Sequence, residues 1–424
     1  MSRPPHTLPL ALYAAATGLF APLAPVVLRR RARAGKEDPA RLAERLGRAT
    51  TPRPAGPLVW LHGVSVGEGL SLIPLIAALR ARRPDLALLV TTGTVTSARV
   101  LSGRLPKGVI HQFAPIDTPG AAARFLDHWR PGAALLVESE LWPNLIVAAR
   151  ARDIRLALLS ARITEASAKG WGRAPATARA LLRAFDLVLP QDPATGARLA
   201  RLGAAVGPCL NLKRVGEAPP VDAASLAALK AAAGARGIVL AASTHAGEEP
   251  LIAKAVRAVA SDALMIVAPR HPDRGPAVAA ELEGLGFHVA RRSAGEPPGP
   301  AVTAYVADTL GELGAFYAAA DVLVIGGSFV EGIGGHNPLE AARLGCAIIT
   351  GQWVANAADV YADMFAEAAA IGARDGASLA RHIAGLVDHP MIARRMGEAA
   401  ADYAGRQGAA LEVAWAMIEP LLPA

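Results

Sequence analysis

The sequence predicts an α/β protein built as two successive Rossmann-like units, each a parallel sheet covered by helices on both faces. Three observations predict it. The chain has 424 residues, more than one ordinary hydrophobic core serves. Short apolar runs of strand length alternate with stretches of helical periodicity, the pattern of βαβ units. That alternation stops around Glu217-Ala218-Pro219-Pro220 and then resumes. The expected division is an N-terminal segment 1–34, a first unit 35–215 and a second unit 216–424.

Residues 8–28 form an uncharged apolar run, with Arg3 before it and Arg29, Arg30, Arg31 and Arg33 directly after. The run is long enough for a hydrocarbon core of about 30 Å. Its charge order is the reverse of a cleaved signal peptide and puts everything after Leu28 on the cytoplasmic side. Pro22 and Pro25 should kink its last turns, so an interfacial or docked helix is the alternative to a span. A proline-rich connector, 50–57, follows.

Expected strands of the first unit lie at 58–61, 86–91, 133–137, 156–160 and 186–189, and helices at 68–82, 119–129 and 141–152. Expected strands of the second lie at 238–242, 264–268, 288–290, 302–306, 322–325 and 347–350, with helix from 375 to the end. In open parallel sheets ligands sit beyond the carboxyl ends of the strands. The loops that follow strands are therefore the ones to search, and two such units should face each other across a cleft.

Composition narrows the partners. The net charge of +8 suits phosphate-rich ligands or anionic lipid. No aromatic RNA-binding motif, zinc finger or long basic tract favours nucleic acid. Cys209 and Cys346 have no metal-ligand spacing and fit a reducing compartment. Oligomeric state is not encoded legibly.

The most informative loop follows the expected strand 322–325: Gly326-Gly327-Ser328-Phe329, then Gly334-Gly335-His336-Asn337-Pro338-Leu339-Glu340. Its glycines allow close backbone approach. Asn337 as N-cap and Pro338 at the first helical position predict a helix start that aims N–H groups at an anion. Glu340 is placed to accept from sugar hydroxyls. Three further second-unit loops point the same way: Ser243-Thr244-His245, Pro269-Arg270-His271-Pro272 and Thr309-Leu310-Gly311-Glu312. Arg270 is the natural phosphate or carboxylate partner.

In the first unit, His62-Gly63-Val64-Ser65-Val66-Gly67-Glu68-Gly69 follows the first strand. Gly63-Val64-Ser65-Val66-Gly67 fits the nucleophile-elbow pattern, which would make Ser65 a hydrolase nucleophile. Alternatively Glu68, at a helix start, is a general base, or simply a dipole-complementing first-turn residue. Glu138 and Glu140 flank the end of another strand, and Lys213 follows Asn211-Leu212 at the end of the unit. No Asp-x-Asp occurs, so no metal is expected and none of these residues is assigned to one.

Taken together, Ser65-Val66-Gly67-Glu68, Glu138-Ser139-Glu140-Leu141-Trp142-Pro143-Asn144, Asn211-Leu212-Lys213, Ser243-Thr244-His245, Pro269-Arg270-His271-Pro272 and 334–340 resemble the Kdo transferases of lipopolysaccharide synthesis, glycosyltransferase family 30, where Kdo is 3-deoxy-D-manno-oct-2-ulosonic acid. The resemblance implies a membrane-associated enzyme of GT-B architecture at the cell inner membrane. It would move Kdo from CMP-Kdo to a lipid A precursor, lipid IVA, with inversion and with neither metal nor cofactor. By position it implies Glu68 as base, with Glu138 and Lys213 supporting the transition state. Pro269, Arg270, Leu310, Gly311, Glu312, Asn337, Pro338, Leu339 and Glu340 are implied as CMP contacts. Leu210, Ala246 and the 159–164 segment depart from the family pattern, which leaves acceptor details open. Another envelope GT-B transferase using a different nucleotide sugar is the alternative.

Overall fold

A computed structural model describes residues 5–216 and 218–424. Arg3 and Glu217, both used above, lie outside the described residues. The chain divides into one unit of Met1–Val215 with Ala409–Ala424 and a second of Gly216–Gly408. The sequence reading placed all of 216–424 in the second unit. The long helix Pro390–Ile418 carries its last turns into the first unit instead, where Ala414, Trp415 and Ile418 join a core with Leu75, Leu79 and Leu189.

The first unit holds a six-stranded sheet ordered β3-β2-β1-β4-β5-β6. The strands are β1 (Leu58–His62), β2 (Ala87–Thr92), β3 (Ile110–Phe113), β4 (Ala133–Val137), β5 (Arg155–Ala161) and β6 (Leu187–Pro190). All pairings are parallel, with Trp60 of β1 opposite Leu89 of β2 and Ala134 of β4. β1, β4 and most of β5 are buried on both faces, as continuous apolar runs require. The expected helix 68–82 is two, Val66–Ser71 and Ile73–Arg82, with Pro74 starting the second. The helix Pro119–Trp129 has the expected bounds and an N-cap from Thr118.

The second unit holds a seven-stranded parallel sheet ordered β13-β12-β11-β7-β8-β10-β9. These are β7 (Ile238–Thr244), β8 (Leu264–Pro269), β9 (Val289–Arg291), β10 (Ala304–Val306), β11 (Val322–Ile325), β12 (Ile348–Thr350) and β13 (Ile371–Gly372).

Each sheet has one place where the chain reverses direction across it. In the first, β1 runs on to β2 and β3 on one side and β4 begins the other; in the second, β7 and β11 play these parts. Crevices open at such switch points.

The N-terminal segment is α1 (Leu8–Phe20), a 3₁₀ turn at Ala21–Leu23 and α2 (Ala24–Arg33), broken where Pro22 and Pro25 stand. Leu8–Arg33 is long and apolar enough to cross a membrane. One face is nonetheless tied to the first unit. Tyr13 donates to Asp117 (3.0 Å), the Asn144 amide donates to Thr17 (3.0 Å), and Thr7 bonds Thr177 (2.9 Å).

Candidate active site

The first-unit switch point gathers the three predicted catalytic residues. β1 ends at His62, and the chain turns through Gly63 into the helix Val66–Ser71. Gly63 is tightly enclosed: a Cβ there would lie 3.0 Å from both Glu68 Cβ and Val137 Cγ2. The loop after β1 thus packs directly on the end of β4. Ser65 and Glu68 form a capping box. The Glu68 carboxylate accepts from the Val64 N–H (2.6 Å) and the Ser65 hydroxyl (2.9 Å), and Ser65 Oγ accepts from the Glu68 N–H (3.3 Å). The structural and chemical readings of Glu68 therefore coexist: these bonds fix the orientation of a half-buried carboxylate that keeps acceptor capacity.

Glu138 follows β4 in the left-handed region (φ 64°), a conformation that costs a non-glycine residue roughly 1–2 kcal/mol. It is buried, and its carboxylate meets Lys213 Nζ at 2.5 Å. A second left-handed residue explains how Lys213 arrives. Ser160 (φ 50°) sits where the β5–β6 register shifts, and its Oγ accepts from the Leu212 N–H (3.3 Å). This holds the loop Asn211-Leu212-Lys213 against the sheet end. The lysine stem then passes over Gly67, whose built Cβ would be 3.7 Å from Lys213 Cε.

Glu140 does different work. Its carboxylate bonds His62 Nε2 (3.1 Å) and accepts from the Trp142 indole, while His62 Nδ1 bonds Thr91 (2.8 Å). This buried network braces β1, β2 and the loop after β4. It also disposes of the nucleophile-elbow reading. Ser65 is paired with Glu68, its backbone is extended (φ −89°, ψ 171°) and not strained, and the neighbouring histidine is committed to Thr91 and Glu140.

The second-unit switch point differs from expectation. The first part of the glycine loop spends its N–H groups on the protein itself. Gly327, Ser328 and Phe329 donate to the Glu248 carboxylate (2.7, 3.0 and 2.9 Å), as does His245 (2.8 Å). Glu248 is fully buried and ties the loop after β11 to the loop after β7. Gly326 passes so close that a Cβ would lie 2.7 Å from the Ser243 carbonyl oxygen. Ser243 is itself left-handed (φ 57°) at a register shift between β7 and β8. Glu248 is the residue sequence reasoning missed. The signal was a charged pair, Glu248-Glu249, at a helix start after a strand.

The predicted helix after the glycine loop is a single turn, Leu339–Ala342, beginning one residue later than expected. Pro338 is therefore the N-cap in place of Asn337, whose Oδ1 still accepts from the Leu339 N–H (3.0 Å) one residue before the cap. One turn carries little macrodipole. Pro338 and Leu339 are buried, whereas Asn337 and Glu340 are exposed.

Histidine rings and an arginine cluster beside this loop. His245 and His336 stack with Nε2 atoms 3.0 Å apart, and His271 packs edge-on to His245. Burial first, then the charges of His245, Arg270 and His271, push His336 down to about 4. Burial likewise lowers His245. Both rings are neutral at pH 7 beside the exposed Arg270.

Pro269, Arg270, Leu310 and Gly311 line one cavity of about 140 Å³ with Ser243 and Phe316. Leu310 is 81% exposed at its rim. Glu312 is occupied: its carboxylate accepts from Thr309 and from Arg292 Nε (3.0 Å), and the Arg292 partner holds it below the usual carboxylate range. It braces the loop.

Two parallel-sheet α/β units with loops of this kind define the GT-B class of glycosyltransferases. A Rickettsia africae glycosyltransferase aligns with a TM-score of 0.56 at 10% identity, covering 87% of this chain and 99% of that one. Anabaena HepE in complex with UDP aligns at 0.53 and 12%, covering 86% and 99%. A Neisseria meningitidis UDP-GlcNAc 2-epimerase aligns at 0.54 and 12%, covering 86% and 100%, so this likeness speaks to fold alone.

Sequence relatives go further. Residues 40–215 match the family described as 3-deoxy-D-manno-octulosonic-acid transferase (kdotransferase). An Arabidopsis thaliana protein named "Probable 3-deoxy-D-manno-octulosonic acid transferase, mitochondrial" is 41% identical, over 80% of this chain and 79% of its own. The Bordetella pertussis 3-deoxy-D-manno-octulosonic acid transferase is 36% identical over 88% and 90%, and that of Haemophilus influenzae 31% over 90% and 91%. The chain belongs to the 3-deoxy-D-manno-octulosonic acid transferase family.

Proposed function

We propose that the protein transfers Kdo from CMP-Kdo to lipid IVA, by an inverting mechanism that uses neither metal nor cofactor. The observation that carries this reading is the convergence of Glu68, Glu138 and Lys213 at the β1/β4 switch point. A sugar hydroxyl of the acceptor attacks the anomeric carbon of Kdo as the bond from that carbon to the CMP phosphate oxygen breaks. CMP leaves with the electron pair, and Glu68 takes the hydroxyl proton. Lys213, held by Glu138, supplies positive charge for the developing anionic character.

The second unit holds the nucleotide. Its cavity of about 140 Å³ is smaller than the 300–1,000 Å³ typical of sites for drug-sized ligands. It would therefore take one ring of the nucleotide, under Leu310 and against Pro269. Arg270 and the His245/His336 pair would face the phosphate. Asn337, Pro338, Leu339 and Glu340 shape the loop beside them, with Glu340 left to accept from ribose hydroxyls. The basic flank Arg29 to Arg33 and the apolar residues before it support a site of action on the cytoplasmic face of the inner membrane.

Purified protein incubated with lipid IVA and CMP-Kdo, or with UDP-sugars, tests the assignment. The expected product is lipid IVA heavier by one or more Kdo units, formed in excess EDTA as well as without it. Transfer from a UDP-sugar and none from CMP-Kdo would favour the alternative donor.

A further inference from the structure

His245 and His336 come from the loops after β7 and β11 and meet face to face, Nε2 to Nε2 at 3.0 Å with ring planes 11° apart. Such a contact holds one N–H between two nitrogens, so one ring donates and the other accepts. The rings are held in place. Glu248 accepts from the His245 N–H (2.8 Å), and the Tyr361 hydroxyl donates to the His336 carbonyl (2.8 Å). Gly327 passes so close that a Cβ would lie 2.8 Å from His336 Cδ2. We infer that this pair takes up one proton as the phosphate of the donor becomes a leaving group, an inference that rests on the donor reading above.

The geometry sets the capacity at one. A proton added to the free nitrogen of the donating ring leaves the N–H···N contact intact and makes it charge-assisted. A second would set two N–H groups, and two cations, against each other. The surroundings set the trigger. The charged and titratable groups acting on the pair are Arg270 and His271 from the loop after β8, Arg274 beyond them, and Glu248. Glu248 is fully buried and already accepts from four backbone N–H groups. Its neighbour Glu249 takes Arg274 (2.7 Å) and the Thr244 hydroxyl (2.9 Å). The rings are thus left among cations, and burial and those charges keep them neutral in the free protein. An anion arriving beside Arg270 reverses that balance. Opposite charge within about 4–6 Å raises a group by about 1–3 in pKa, which carries His336 from about 4 to about 5–7.

The chemistry gives the uptake a use. In CMP-Kdo the phosphate is a diester with one negative charge. When its bond to the Kdo anomeric carbon breaks, CMP keeps the electron pair and the phosphate carries two. The acceptor hydroxyl proton goes to Glu68, so the proton on the histidine pair comes from solvent and returns there when CMP departs. Arg270 offers the same charge before and after bond breaking. The pair adds its charge as the second negative charge develops, and a contact stronger at that point lowers the barrier.

The test is calorimetry of CMP binding to the full chain at pH 6, in buffers of different ionisation enthalpy, which counts protons bound per CMP. Wild type should take up about half a proton more than His336→Asn, given the shift expected beside a phosphate. The titration of CMP itself, near 6, is common to both proteins and cancels. The methyl ester of CMP, a diester with a single charge like the donor, should give less than half that extra uptake. Imidazole nitrogen spectra of the wild type should show the added proton on the pair when CMP binds, a readout that needs no variant to fold. In His336→Asn, kcat for Kdo transfer should fall about tenfold while KM for CMP-Kdo changes little. CMP binding with equal proton counts in the two proteins and unchanged imidazole spectra would overturn the inference and leave the donor reading standing. Equal uptake with CMP and its methyl ester, or a raised KM at constant kcat, would overturn the leaving-group role. No binding of CMP at all would overturn the donor reading and this inference with it.

Discussion

At the ends of β1 and β4 the working groups are side chains: Glu68 on a capping box, and Glu138 gripped by Lys213. At the ends of β7 and β11 the notable group is a carboxylate that faces inward. Glu248 consumes four backbone N–H groups to shape a loop, leaving Arg270 and the neutral His245/His336 pair for a ligand. The two switch points share a topology and differ in what is spent on architecture. One sets the half-buried Glu68 carboxylate beside the buried Glu138 and its lysine, and suits proton transfer. The other buries its acid, presents cationic and neutral donors, and suits an anion. Left-handed serines at strand ends, Ser160 and Ser243, recur in both. Strain at these ends turns the functional loops into place.

Removing the inward carboxylate should break the second switch point most severely. Glu248→Ala leaves four N–H donors, two of them buried and two part-buried, without their acceptor, and loss of such a group costs about 4 kcal/mol. Chemical denaturation should show a loss of that order, accompanied by loss of CMP binding. A loss under about 1 kcal/mol would mean the loop does not depend on it.

Next in size is Arg270→Ala. A charge-assisted bond is worth roughly 1.5–3 kcal/mol, so CMP affinity by calorimetry should drop about tenfold to a hundredfold. Unchanged affinity would take Arg270 out of the anion site.

The histidine pair sharpens the contrast through pH. His336 is held at about 4 in the folded protein, below the ordinary value of about 6.5. Between those values the unfolded chain binds more protons, so this contribution to stability is full above about 6.5 and fades as pH falls towards 4. His336→Asn should flatten the decline of stability across that window relative to wild type. Equal slopes would show that the ring is solvated.

Smallest is Asn337→Ala, which removes the side-chain acceptor of the Leu339 N–H at the start of a single-turn helix. One neutral hydrogen bond is worth about 1 kcal/mol, so stability should fall by about that much and CMP affinity should weaken no more than several-fold. A collapse of stability would mean Asn337 supports the core.

The legible parts of the fold were those whose signal is local. β4 and β11 were readable at their true bounds because both faces are buried and the runs are apolar throughout. β3 was missed because His111 and Gln112 interrupt its apolar run, and β13 because it is only two residues long. Glu68, Glu138 and Lys213 were readable as loop residues after strands. Their meeting was not, since it depends on Gly63 against Val137 and on Ser160 holding the Leu212 N–H from 52 residues away. The role of Glu248 was illegible for the same reason: three of its donors lie about eighty positions along the chain. The glycines after β11 announced close approach correctly, but not that the partner was the protein's own carboxylate.

The division of labour between the switch points is tested most directly by Glu68→Gln, which keeps an oxygen acceptor for the capping box and removes the base. With lipid IVA and CMP-Kdo, turnover should fall about 10²–10⁴-fold while CMP affinity, measured on the same preparation, stays at the wild-type value. A variant retaining more than about a tenth of wild-type turnover, or losing CMP affinity in parallel with turnover, would contradict a proton-transfer role for Glu68 at the first switch point.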